Sequence, residues 1–213
     1  MLAIYNLIFL LATLISSPIL LYLAIVRGHS LKERLGFHDK EALTSLGDRP
    51  RVWFHAASVG EVKVLAAFLP HFRSEFPDHQ ILISTTTKTG RVQAKRLVPY
   101  ADFFTYLPID LHWCVRKALR SLNPQALVIV ETELWPNLLA VARKLNIKVF
   151  LINGRISAKS FPRYRKFRFL FASVLSGVDT FFMQTETDQE RIVGIGAPPE
   201  KVKVLGNTKF DYL

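Results

Sequence analysis

The sequence predicts an α/β fold, a parallel sheet with helices on both faces, preceded by an N-terminal membrane-anchor helix. Two observations predict it. Along residues 51–213 short apolar runs alternate with amphipathic stretches, which is the pattern of strand–helix–strand units packed into a parallel sheet. Ahead of them, the twenty-five residues Leu2–Val26 carry no charged side chain, enough for a helix to cross a hydrocarbon core of roughly 30 Å.

The amino-terminal run reads LAIYNLIFLLATLISSPILLYLAIV. A cleaved secretory signal would have basic residues before a shorter apolar core and a small-residue cleavage site after it; this run has neither. Asn6, Thr13, Ser16, Ser17 and Pro18 interrupt it, and Pro18 would kink a helix by removing a backbone donor. A helix deep in one leaflet or a buried core helix therefore stand beside a spanning anchor. Arg27, Lys32 and Arg34 follow at once, and a positive flank on this side places the main domain in the cytoplasm. Residues 27–50, with Gly28, Gly36, Gly47 and Pro50, read as a juxtamembrane helix-and-loop segment.

Within residues 51–213 the expected strands are Arg51–His55, Gln80–Ser84, Phe103–Tyr106, Ala126–Val130, Val149–Ile152, Thr180–Met183 and Val202–Leu205. Helical stretches are expected near 60–75, 88–98, 110–121, 135–146, 157–175 and 185–194. In such sheets ligands bind beyond the carboxyl ends of the strands. The segments following the strands are AASVGE, TTTKTGR, PID, ETELWPN, NGRIS, QTETD and GNTKFD. Carboxylates, hydroxyls, amides and cations thus gather on one predicted edge, and a binding or catalytic cleft is expected there.

Composition narrows the class. Twenty-eight Lys and Arg against seventeen Asp and Glu give a net charge of +11. That suits anionic lipid, nucleic acid or a phosphorylated substrate; an anchor beside a basic domain favours the lipid surface, where each cation contributes about 1 kcal/mol. One cysteine, Cys114, excludes an internal disulfide, and the histidines lack the spacing of a structural metal site. No phosphate loop of the G-x-x-x-x-G-K-[ST] type occurs, and no Asp-x-Asp.

Four segments could carry chemistry. In His55–Glu61, Ser58 and Glu61 have the S-x-x-E spacing of a capping box, so Glu61 is either a helix cap or a catalytic carboxylate; Gly60 between them would let a ligand come close. A helix N-terminus holds a carboxylate in its charged form, whereas a general base works best nearer ambient pH, and only partial burial would reconcile the two. In ETELWPN the apolar strand ALVIV runs straight into Glu131, a costly place for a carboxylate unless it is paired or opens to a cleft. Glu133 could complement the dipole of a helix opened by Pro136. Arg155–Arg168, RISAKSFPRYRKFR, holds six cations and no acid. It is either a solvated face or a docking surface for lipid phosphates, with Phe161, Tyr164, Phe167 and Phe169 either inserting at a membrane interface or filling the core. Lys209, after the last strand, could neutralise charge on a phosphate or carboxylate.

Taken in order, HAASVGE, TTTKTG, PID, ETELWPN, NGRIS with Ser160 and Tyr164, and GNTKFD resemble the amino-terminal half of bacterial 3-deoxy-D-manno-octulosonic acid (Kdo) transferases. NGRIS stands for the more usual NARLS. The resemblance implies a Rossmann-like domain of a two-domain GT-B glycosyltransferase that moves Kdo from CMP-Kdo to a lipid A precursor at the inner face of the inner membrane, with no bound cofactor or metal. It implies that Glu61 is the proton acceptor and that Glu131 and Lys209 stabilise the transition state. Ser58, Gly60, Arg155, Ser157, Lys159, Arg163 and Arg165 are then the expected acceptor-binding residues. The family's second domain supplies most contacts to CMP-Kdo, so this chain is expected to be an acceptor-binding half, inactive by itself. A membrane-anchored module that binds anionic lipid without catalysis is the alternative; nucleic acid is not an expected partner.

Overall fold

The computed structural model describes residues 2–16, 18 and 30–206. The rest of the apolar run, and Lys209, lie outside the described residues. Strands β1 (Arg51–His55), β2 (Gln80–Thr85), β3 (Phe103–Tyr106), β4 (Ala126–Val130), β5 (Lys148–Gly154), β6 (Thr180–Met183) and β7 (Val202–Val204) follow the expected pattern. Among the described residues they form one sheet in the order β3-β2-β1-β4-β5-β6-β7, with every neighbouring pair parallel.

The helices preceding the sheet are α1 (Leu2–Ile15), α2 (Leu31–Arg34) and α3 (Lys40–Thr44). Those between and after its strands are α4 (Val59–Glu75), α5 (Lys88–Leu97), α6 (His112–Leu122), α7 (Pro136–Lys144), α8 (Phe161–Lys166), α9 (Arg168–Leu175) and α10 (Glu186–Ile195). Side chains direct several starts: Ser58, Thr87 and Thr185 accept the backbone N–H three residues on at the openings of α4, α5 and α10, as N-caps do. Pro136 opens α7, where its missing N–H costs nothing. The stretch near 157–175 is two helices rather than one; the chain turns at Phe167, which ends α8 and begins α9.

Helices pack on both faces of the sheet, as parallel strands require, but on the α4 side Phe150, Ile152 and Phe182 of β5 and β6 are only partly buried and border an apolar cavity of about 610 Å³. Val52, Phe54, Ile83, Val128 and Val130 pack against Val62, Leu65 and Leu69 of α4 and Ala94 of α5. On the other face Trp53, Leu127, Ile129, Val149, Leu151 and Phe181 meet α6, α7, α9 and α10. In the segment before the sheet, Glu33, Arg34 and His38 are tied to the β3 edge, whereas the Leu43, Leu46 and Gly47 carbonyls accept from Arg51 and Gln80 at the amino ends of β1 and β2. Glu33 accepts from Arg91 Nη1 at 2.8 Å and from the Tyr106 N–H at 2.9 Å, and the Arg34 and Arg91 guanidinium groups both lie 4.7 Å from the centre of the Tyr106 ring.

No described helix is long and apolar enough to cross a membrane; α1 has fourteen residues, about 21 Å at 1.5 Å per residue. It is not a core helix either, since none of its residues is buried. It rests on the domain through Leu2, which touches the core, through Tyr5, whose hydroxyl donates to Asp110 Oδ2 at 2.8 Å, and through Asn6, whose Oδ1 accepts from Asn137 Nδ2 at 2.7 Å. Ile4, Leu7, Ile8, Leu11, Leu14 and Ile15 stay exposed.

Candidate active site

The winding of the sheet reverses between β1 and β4, which sit side by side while their neighbours run outward to β3 and β7. In open α/β sheets such a switch point forms a crevice outside the carboxyl ends of the strands. The segments that follow β1 and β4 are the two that carry Glu61 and Glu131.

Beyond β1 the chain turns at Ser58 into α4. Ser58 Oγ accepts from the Glu61 N–H at 3.4 Å, and the Glu61 carboxylate folds back, accepting from the Ala57 N–H at 2.7 Å and from Ser58 Oγ at 2.8 Å. The capping geometry is therefore present, but the carboxylate is held by neutral donors only in these bonds, and Glu61 is just 7% exposed. Burial raises its pKa above the ordinary glutamate value, more than the Ala57 and Ser58 bonds lower it; the negative charges of Glu133 and Glu131 raise it further. Burial thus outweighs the helix terminus. A carboxylate with a raised pKa beside the exposed Ser58, Val59 and Gly60 is suited to take a proton from a hydroxyl group. Around Gly60 an added Cβ would meet only Ser58 Oγ, at 3.7 Å, so the surface there is open.

Beyond β4, Glu131 has a left-handed backbone, φ +59°, which costs a residue with a side chain roughly 1–2 kcal/mol. Its N–H donates to the Ile152 carbonyl at 2.9 Å, adding one more rung between β4 and β5. Glu133 does not sit in the first turn of α7, as the sequence suggested, because the chain enters that helix only at Pro136. The buried Asp110 stands at the helix start instead: its Oδ2 and Oδ1 accept the Asn137 and Leu138 N–H groups at 3.0 and 2.9 Å. Glu133 turns toward the crevice, where its Oε2 accepts from Trp135 Nε1 at 2.9 Å. Burial raises its pKa, the Trp135 bond lowers it and Glu131 raises it.

The segment after β5 joins this cluster. Thr132 Oγ1 donates to the Arg155 carbonyl at 2.5 Å and accepts from the Arg155 N–H at 3.0 Å, clamping NGRIS beside ETELW. Ser157 does not reach Glu61 in any bond; its Oγ lies 2.8 Å from Ser160 Oγ and accepts from the Ser160 N–H, forming the turn before α8. Lys159, Arg163 and Arg165 are exposed. Tyr164 faces inward: the charge of Glu133 adds to burial in raising its pKa, and its ring meets Phe171 edge-on at 5.1 Å. The aromatic residues of this stretch therefore divide, Phe161 and Tyr164 against the core and Phe167 and Phe169 into solvent.

The switch point thus brings together Ser58, Gly60, Glu61, Glu131 and, through Thr132, Arg155; Ser157, Lys159, Arg163 and Arg165 lie along the adjoining turn and α8. Sequence reasoning passed over Glu133 and Trp135 as site residues, although their signal was present in the alternation E-T-E-L-W. It also passed over His55, fully buried at the end of β1 with Nδ1 2.9 Å from Ser84 Oγ and a pKa lowered by burial to about 4. Among the described residues no group of three His, Cys, Asp or Glu side chains is placed to hold a metal ion.

Comparisons with known proteins give the chain its relatives. Residues 29–212 match the family described as 3-deoxy-D-manno-octulosonic-acid transferase (kdotransferase). A Fusobacterium nucleatum protein named bifunctional glycosyltransferase/methyltransferase is 40% identical over 171 residues, covering 78% of this chain and 26% of that protein. The 3-deoxy-D-manno-octulosonic acid transferase of Chlamydia muridarum is 34% identical over 209 residues, 96% of this chain and 48% of its own length. That of Haemophilus influenzae is 32% identical over 181 residues, 85% and 42%. The chain spans about half the length, or less, of the curated relatives it matches. In fold it is similar to a putative UDP-N-acetylglucosamine 2-epimerase from Listeria monocytogenes (TM-score 0.56, 12% identity, 75% of this chain and 46% of that one). It is likewise similar to UDP-GlcNAc 2-epimerase from Neisseria meningitidis (0.54, 15%, 76% and 48%). At these identities the two structures speak for a shared Rossmann-like sheet alone, whereas the family match and the relatives' identities establish that the chain belongs to the 3-deoxy-D-manno-octulosonic acid transferase family.

Proposed function

We propose that this chain is the acceptor-binding half of a GT-B glycosyltransferase that moves Kdo from CMP-Kdo to a lipid A precursor in lipopolysaccharide core synthesis. The observation that carries the reading is Glu61: a nearly buried carboxylate at the switch point of the sheet, held by neutral donors, with a pKa raised by burial. A sugar hydroxyl is a weak nucleophile. As its oxygen bonds to the anomeric carbon of Kdo and the bond from that carbon to the CMP phosphate breaks, its proton passes to Glu61; a positioned base contributes about 10²–10⁴-fold. Glu131 answers the positive charge that grows on the anomeric carbon, and Lys209 the negative charge of the departing CMP. Gly60, Ser58 and Arg155 line the approach of the acceptor sugar, and the cations of Ser157–Arg165 meet its phosphates. The donor is held by a second domain, as the resemblance to the family implies.

The apolar run Leu2–Val26 keeps the cleft at the cytoplasmic side of the inner membrane, a place favoured by the exposed apolar side chains of α1 and by the basic flank. The test joins this chain to the carboxyl-terminal half of the Chlamydia muridarum relative and measures transfer of Kdo from CMP-Kdo to a lipid A precursor. Glu61→Gln is expected to lower the rate by about 10²–10⁴-fold with the melting temperature unchanged, because glutamine also completes a capping box. Full activity in the variant removes Glu61 from the chemistry; a rate loss matched by unfolding makes it a cap only.

A further inference from the structure

Beside the carboxylate cluster lies a second cavity of about 580 Å³, within the roughly 300–1,000 Å³ of ligand sites. Its walls come from three elements far apart in sequence: Ile4 and Ile8 of α1, Leu134 and Trp135 of the loop after β4, and Phe167 and Phe169 at the α8–α9 turn. Ile4, Ile8, Phe167 and Phe169 are 58, 62, 45 and 54% exposed, and a contiguous apolar surface of this kind marks a place where something else binds.

The wall offers a ligand almost no hydrogen bond. Of its two side chains with polar atoms, Tyr5 already donates to Asp110 and Trp135 to Glu133. A sugar or nucleotide would lose its bonds to water here without replacement; hydrocarbon would not. The helix that leads into this wall, α8, is the reverse. Arg163, Arg165, Lys166 and Arg168 are exposed, and none takes part in an ion pair formed among the described residues. Trp135 belongs to both sites, since its ring walls the cavity while its N–H is bonded to Glu133, a charge close enough to Glu61 to act on it. The apolar cavity therefore adjoins the carboxylate cluster at Trp135, and the cationic α8 leads directly into its wall at Phe167 and Phe169.

From this juxtaposition we infer that the cavity between α1, Trp135 and the α8–α9 turn is a subsite for an acyl chain of the membrane-embedded acceptor, with Arg163, Arg165, Lys166 and Arg168 receiving its phosphate. The inference rests on the reading of the crevice as an acceptor site and adds to it a reason why the acceptor should be a lipid. Extraction of one chain into the cavity would also fix the sugar relative to Glu61, since wall and carboxylate share Trp135.

The probe is lysophosphatidic acid with a dibrominated stearoyl chain, used as monomer with the whole 213-residue chain carrying Trp113→Phe. That substitution silences the exposed Trp113 and leaves Trp135 beside the fully buried Trp53. Bromine quenches only an indole it touches. Saturable quenching is expected with the brominated lipid and not with its unbrominated twin. Phe169→Asp should weaken it about tenfold or more, the loss of one buried aromatic side chain, and Arg163→Gln and Arg165→Gln roughly fivefold each. Glu61→Gln should leave it unchanged. No saturable quenching, or quenching indifferent to Phe169→Asp in a variant that melts as the parent does, overturns the subsite. So does saturable binding of the unbrominated lipid with no quenching by the brominated one, which would place the lipid on the basic surface alone. In the joined two-half enzyme, Phe169→Asp should raise KM for the acylated acceptor and leave a deacylated acceptor untouched. Quenching without any transfer would sink the glycosyltransferase reading and spare the lipid site; transfer indifferent to Phe169→Asp would do the opposite.

Discussion

Two carboxylates stand at the same edge of the sheet in contrary company. Glu33, at the β3 end, is gripped by Arg91 at 2.8 Å and by the Tyr106 N–H at 2.9 Å, with Thr105 Oγ1 at 3.2 Å. Glu61, at the β1–β4 switch point, is held by one backbone N–H and one hydroxyl, with two further acids near enough to disfavour its charge. A carboxylate paired with a guanidinium serves as a tie between segments. One held by neutral donors in a buried place binds its proton more tightly than an ordinary glutamate does. The difference marks the switch point as the place of chemistry and the β3 edge as scaffold, although both are rich in charged side chains.

The largest expected effect breaks that comparison at Glu61. Transfer by the joined enzyme should rise with pH as Glu61 ionises, along a limb displaced above the ordinary glutamate range in the direction of its raised pKa, and Glu61→Gln should abolish the limb with the rate. The sign for stability is the opposite. A carboxylate whose folded pKa is raised favours the folded state while protonated and less so once ionised, so at pH 7 Glu61→Gln should melt no lower than the parent. A limb at the usual glutamate value, unaffected by the substitution, would assign the base elsewhere.

Asp110 separates burial from catalysis. It too is held by neutral donors, Tyr5 and the opening N–H groups of α7, and burial pushes its pKa up to about 6. Its carboxyl therefore binds a proton more tightly folded than unfolded, and its contribution to stability, present below about pH 4, should be lost as pH rises toward 6, by at most about 1.4 kcal/mol per pH unit. The measurement is the urea midpoint of the parent against Asp110→Asn from pH 4 to 7. The difference between the two curves should change across that window and be flat above it; a constant difference would mean that Asp110 ionises as it does in water. Because the Tyr5 hydroxyl donates to Asp110 and that bond favours the ionised carboxylate, the seat of α1 should tighten rather than loosen over the same range.

At the scaffold end, Glu33→Ala should cost about 2–3 kcal/mol of stability, since it strands the Arg91 guanidinium and the Tyr106 N–H in a partly buried place. The urea midpoint measures it, and the pH limb of transfer should not move. Gly36, in the same segment, points the same way: its φ is +79°, and a Cβ there would strike the Cys114 carbonyl of α6. A pH limb displaced by Glu33→Ala would join the two regions that the structure keeps apart.

The parts legible in the sequence are those with a local signature. ALVIV reads as a strand because a parallel strand is apolar on both faces, and the S-x-x-E box placed the start of α4 at Ser58 because its partners lie three residues apart. Glu61 and Glu131 stood out for their strand-end positions. What escaped depends on residues distant in the chain. Asp110 captures the α7 N-terminus from 27 residues away, which displaces Glu133 from the role its position suggested. Tyr5 and Asn6 seat α1 across more than a hundred residues. The left-handed turn at Glu131 has no glycine to announce it. The division of the basic stretch into two helices turned on Phe167, where the apolar spacing continues but the backbone leaves the helical conformation.

The smallest expected effect tests whether the crevice is open at Gly60. Glycine in a helix is less stable than alanine by roughly 0.5–1 kcal/mol, and the methyl group of Gly60→Ala would meet nothing nearer than Ser58 Oγ at 3.7 Å, an ordinary contact. The variant should therefore unfold at the parent's temperature or slightly above it, unlike a substitution at Gly36, where backbone and space both resist. Against that neutral background any fall in transfer belongs to the acceptor. If the acceptor sugar passes over the first turn of α4 to reach Glu61, the added methyl group should raise KM and leave the pH limb in place, because the carboxylate and its two donors are untouched. An unchanged KM would move the sugar's path away from α4 and toward the Thr132–Arg155 clamp, leaving Glu61 to be approached from the β4 side.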